Sequence, residues 1–136
     1  MMAPCRLPAL AAALFLLAGL SVTGAIAGGV EEDQEVVQQL GDACDGGEAA
    51  ACHRLGTMYD FAQGVDEDLV LAAAYYRHAC DGGHAAGCYG LAVKLQLGEG
   101  VARDPVQADA LIRKACDGGL AIACDSLPPA AKVGND

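Results

Sequence analysis

The chain has no tryptophan, and only two phenylalanines and four tyrosines among 136 residues. A core without large aromatics must be built from small aliphatic side chains, and a short chain with such a core is hard to stabilise by burial alone. Basic residues are scarce too. Eight Lys and Arg stand against eighteen Asp and Glu, a formal net charge of −10. That balance lacks the basic stripe needed for nucleic acid, and it disfavours an anionic membrane surface. Hydroxyl groups are rare: beyond residue 27 there is one serine, Ser126, and one threonine, Thr57. Ser126 runs into Leu127-Pro128-Pro129, so no Ser-x-x-Lys nucleophile is present. The three histidines, His53, His78 and His84, form neither His-x-His nor His-Glu-x-x-His. No metal site and no cofactor are expected, and no catalytic residue is assigned.

One long apolar run does occur. Residues 7–20 read LPALAAALFLLAGL, after a short stretch with one Arg and no acid. Ala25-Ile26-Ala27 supplies the small residues that precede a signal-peptidase cut. Residues 1–27 are therefore expected to be a cleaved signal peptide. A retained anchor is disfavoured, because Ser21, Thr23, Gly24, Gly28 and Gly29 weaken the second half of the segment. The expected mature chain has no stable membrane anchor, and it is secreted or periplasmic.

What the chain has in excess is cysteine. Removing Cys5 with the signal leaves six, an even number in a small exported chain, which reads as a disulfide framework. The pentapeptide Ala-Cys-Asp-Gly-Gly occurs three times, with Cys44, Cys80 and Cys116 spaced 36 residues apart. A second cysteine, Cys52, Cys88 or Cys124, follows each first one by eight positions. Six cysteines allow 15 pairings. Pairing inside each unit respects the period: Cys44–Cys52, Cys80–Cys88 and Cys116–Cys124. The spacing is too long for a structural zinc site.

A fixed period of this size marks stacked repeats. Three copies are expected at 32–67, 68–103 and 104–127, within a domain of residues 28–127 followed by a flexible tail, 128–136. Each reads as helix, turn, helix. Leu69, Ala72, Ala73, Tyr76 and Cys80 fall at helical spacing. Asp68 and Asp104 are placed to cap helix starts, the second followed by Pro105. Each Gly-Gly pair stops a helix. Six helices are predicted, over 33–45, 48–62, 68–81, 84–97, 104–117 and 120–127, and no strand.

Leu55-Gly56-Thr57-Met58-Tyr59, the later Gly-x-Gly-Val turn, and Tyr75-Tyr76-Arg77-His78-Ala79-Cys80 together resemble Sel1-like repeats, relatives of the tetratricopeptide repeat. The cysteine-bridged form is similar to the Helicobacter cysteine-rich proteins. In the second copy Leu91-Ala92-Val93-Lys94-Leu95 departs from the pattern, and Ala62 stands where Gly98 keeps a turn glycine. The resemblance implies an all-α, right-handed α-solenoid whose concave face holds a protein or peptide partner, cell-wall fragments among the candidates. By aligned position that face carries His53, Arg54, Thr57, Asp60, Tyr89, Val93, Lys94 and Gln96. Some cysteine-rich members are described as penicillin-binding proteins or β-lactamases, the alternative reading. Leu120, Ile122 and Leu127 lie in a short last helix without an amphipathic cap, which raises end-to-end self-association.

Overall fold

Three short turns set the architecture. Gly47, Gly83 and Gly119 all adopt positive φ, between 86° and 95°. At the first, Gly47 N–H donates to the Cys44 carbonyl and Glu48 N–H to that of Ala43, both at 2.9 Å. The same two bonds recur from Gly83 and His84, and from Gly119 and Leu120. This is the Schellman closure, which satisfies the last carbonyls of a helix and requires a left-handed residue. The residue after each glycine is also the N-cap of the next helix, in extended backbone: Glu48, His84 and Leu120. One helix thus ends and the next begins with no linker between them.

The structure is a computed structural model, which describes residues 28–129. The expected signal peptide, and the tail beyond Pro129, lie outside the described residues. Among the described residues there are six helices, α1 (Gly28–Asp45), α2 (Ala49–Asp60), α3 (Leu69–Asp81), α4 (Ala85–Leu97), α5 (Pro105–Asp117) and α6 (Ala121–Ser126). The described residues contain no strand, and no helix among them is long and apolar enough to cross a membrane. Asp33–Asp136 forms one unit; of the other, Met1–Glu32, only residues 28–32 are described, within the start of α1. α1 begins five residues earlier than predicted, and the other five helices lie within one or two residues of their predicted bounds.

Helices α2 to α6 each pack on the next in sequence, and α2 also touches α4. The second kind of turn makes this possible. Asp68 Oδ1 accepts from Leu71 N–H at 2.9 Å, and Asp104 Oδ1 from Gln107 N–H at 3.0 Å. These side chains cap α3 and α5, as the sequence predicts. A Cβ on Gly100 would overlap the Leu69 carbonyl, so that turn closes only with glycine.

The core is small-residue packing. Ala72, Ala73, Ala79, Ala92, Ala108, Ala115 and Ala123 are buried alongside Leu55, Leu91, Leu95 and Ile112. Alanine cores bring helix backbones close but bury little apolar area per residue, so covalent closure matters more. The three expected disulfides are all present, with Cα separations of 4.8, 4.4 and 4.6 Å. At the C-terminal end Leu127 is buried and Leu120 half-buried, leaving only Ile122 of that trio exposed.

Candidate functional site

Helix α2 carries His53, Thr57 and Asp60 at positions i, i+4 and i+7, so the three share one face. The Tyr76 ring of α3 lies beneath them, wedged between two glycines. A Cβ on Gly56 would stand 2.7 Å from that ring, and one on Gly90 2.9 Å from it. The Tyr76 hydroxyl donates to Asp60 Oδ2 at 3.1 Å. Burial pushes the phenol pKa up to about 12, and the Asp60 carboxylate adds to the rise while Thr57 opposes it. Tyr76 is therefore a neutral donor throughout the physiological range.

Lys94, from α4, completes the floor. It is buried, and its ammonium bonds Asp60 Oδ1 and, at 2.8 Å, Glu99 Oε2. Burial alone would lower its pKa. The hydrogen bonds to Asp60 and Glu99 outweigh that and raise it. Asp60 and Lys94 were expected to face a partner. The structure pairs them with each other, both side chains largely buried, and Lys94 also with the more exposed Glu99.

At the other end of the strip the His53 ring lies 5.7 Å from Tyr76 and 4.9 Å from His84, centroid to centroid. Burial, then the neighbouring His84, lowers the His53 pKa. His78 and His84 are near neighbours in sequence. The ring that His84 meets is that of His53, and His78 lines a separate groove with Cys44, Asp45 and Tyr75.

Tyr89 and Val93 repeat the positions of His53 and Thr57 one period on, and both are half-buried on α4. The Tyr89 and Ser126 hydroxyls stand 3.4 Å apart. Gln96 is exposed, and its carbonyl accepts from Arg103 Nε at 2.9 Å. Arg54 is exposed on a different face, in a groove of about 360 Å³ with Val36, Leu40 and Glu48. The structure thus joins His53, Thr57, Asp60 and Lys94, places Tyr89 and Val93 at the equivalent positions of α4, which touches α2, and separates Arg54. Tyr76, His84 and Glu99 are the members of the strip that sequence reasoning did not assign to it.

Both hydroxyl candidates are bonded within their own helices. Thr57 Oγ1 donates to the His53 carbonyl at 3.0 Å, and Ser126 Oγ to that of Ile122 at 2.7 Å. Among the described residues no cluster of three or more His, Cys, Asp or Glu side chains is placed to hold a metal ion.

The fold has clear counterparts. Helicobacter pylori cysteine rich protein B is 36% identical, with a TM-score of 0.66 over 69% of this chain and 71% of that one. A protective antigen of uropathogenic Escherichia coli with an SLR fold is 28% identical, TM-score 0.62, over 65% of this chain but 19% of its own. A Sel1 repeat protein from Oxalobacter formigenes is 28% identical, TM-score 0.56, over 58% of this chain and 32% of its own. This chain therefore spans well under half of the last two. No curated protein matches it. The Sel1 repeat model matches residues 49–84 and 85–120, which is more than half of the sequence and keeps its 36-residue period, and the chain belongs to the Sel1 repeat family.

Proposed function

We propose that this chain is an exported scaffold that binds a protein or peptide segment along the face shared by α2 and α4. One observation carries the reading. His53, Thr57, Tyr89 and Val93 occupy equivalent positions on two neighbouring helices, each partly open to solvent and each on a helix stapled by a disulfide. A rigid row of aromatic, imidazole and hydroxyl groups suits an extended segment, because little side-chain freedom is lost on binding. The floor, one Lys94 ammonium between the Asp60 and Glu99 carboxylates, supplies shape and hydrogen bonding there and leaves an excess of negative charge. Three cysteine pairs fit an oxidising compartment, as does the signal-like segment.

The test is selection from a random peptide display library on the oxidised chain, followed by titration of the selected peptides. Tyr89→Ala is expected to weaken binding about ten-fold or more, the loss typical of an aromatic anchor. Arg113→Ala, on exposed α5 surface, is expected to leave it unchanged. Peptides that bind Tyr89→Ala as tightly as the parent would move the site off this face.

A further inference from the structure

His53 and His84 are 31 residues apart and belong to different elements, yet their rings touch, with planes inclined at 49°. Two features of the repeat hold them there. The turn before α4 docks onto the start of α2: a Cβ on Gly82 would stand 2.7 Å from that of Ala49. Both histidines are also pinned by disulfides. Cys52, bridged to Cys44, immediately precedes His53, and His84 lies inside the loop closed by Cys80 and Cys88.

The same slot exists one period later. Gly118 approaches Ala85, where a Cβ would stand 3.0 Å away. There the equivalent residues are Tyr89 and Leu120, both packed against the core. Apolar packing therefore suffices to fill the slot, and the first interval has two imidazoles in it instead. No hydrogen bond from another described residue engages either ring.

A neutral imidazole offers one nitrogen lone pair to a metal. Zinc–nitrogen bonds are about 2.0–2.1 Å, so two imidazoles at a tetrahedral angle place their ring centroids roughly 5 Å apart. The observed separation is 4.9 Å. Tyr76, the other ring beside His53, is committed to Asp60 and stays protonated.

We propose that His53 and His84 form a two-imidazole site for one divalent transition metal ion of the zinc, nickel and copper class. With no third side chain placed to ligate among the described residues, the remaining coordination positions go to water or to a group carried by a partner. Calcium and magnesium are not expected there, because they take oxygen ligands. The site shares His53 with the proposed peptide face, but its test reads metal binding alone.

The experiment is calorimetric titration of the oxidised, tag-free, chelator-stripped chain with zinc and then nickel chloride at pH 7.5. Saturable one-to-one binding is expected. His53→Gln and His84→Gln should each weaken it by at least the roughly ten-fold that even an outer-shell change costs, and His78→Gln should not. The double variant His53→Tyr, His84→Leu copies the residue pair of the next interval. It should keep the helical circular dichroism and lose the metal. Absence of saturation below millimolar metal, or binding that survives the double variant, would overturn the assignment.

Discussion

At the scale of single residues, backbone conformation follows the repeat even where the residue does not suit it. Ala62 stands one period before Gly98, and both are left-handed, with φ of 51° and 73°. For a residue with a Cβ this costs roughly 1–2 kcal/mol. The sequence exposed the anomaly, because the period put an alanine where a turn glycine belongs. It could not show whether the turn would change shape to relieve the strain, since that depends on the helices it must join. Ala62→Gly is expected to stabilise the chain by about 0.5–1 kcal/mol, after allowing for the added freedom of glycine in the unfolded state. Gly98→Ala should cost a similar amount. Gly100→Ala should cost more than either, because its Cβ meets the Leu69 carbonyl and not open space. Urea denaturation midpoints would rank the three. An unchanged midpoint for Ala62→Gly would mean that the turn carries no strain.

At the scale of elements, the candidate site lies where the repeat is broken. Lys94 is the counterpart of Met58, Asp60 of Gln96 and Tyr76 of Ile112, so the charged cluster exists in only one interval. Helix pairs, caps and staples were legible because they are written locally and three times over. The cluster was not. Lys94 meets Asp60 across 34 residues, and no periodicity marks a contact made once. Its depth follows from α4 packing against both α2 and α3, a tertiary fact. His84 escaped for the same reason: its near neighbour in sequence was His78, and the register of the turn on α2 chose His53. Removing one partner of a buried ion pair typically costs 3–5 kcal/mol, because the other charge is left uncompensated. Lys94→Met restores the residue of the preceding repeat, and Asp60 keeps its bond from Tyr76. The expected loss is therefore at the low end, about 3 kcal/mol. Adding Asp60→Asn should recover much of it. A double-mutant cycle with coupling near zero would show that the pair acts as two independent surface charges.

At the scale of the whole repeat array, the cysteines tie one family unit to the next. The family repeats run over 49–84 and 85–120, so Cys80–Cys88 crosses the border between them. The period and cysteine spacing made this staple readable from sequence. Which staple matters most depends on neighbours. Each bridge closes the same short loop, and chain entropy assigns each about 2.6 kcal/mol. A linear array adds nearest-neighbour terms to that. Helices α3 and α4 are packed on both sides, whereas the six-residue α6 rests on α5. Replacing Cys116 and Cys124 with alanine should therefore release α6 while the rest holds. Amide exchange would quicken over residues 117–127, and the main thermal transition would shift little. Replacing Cys80 and Cys88 removes the link in the middle, where loosening exposes the Leu91 and Ile112 cluster from both units. That variant should lose stability across the whole array, with exchange quickening in α2 to α5 together. Equal effects of the two replacements, in both melting temperature and exchange pattern, would mean that the bridges act only through the unfolded chain and not through the interfaces they hold.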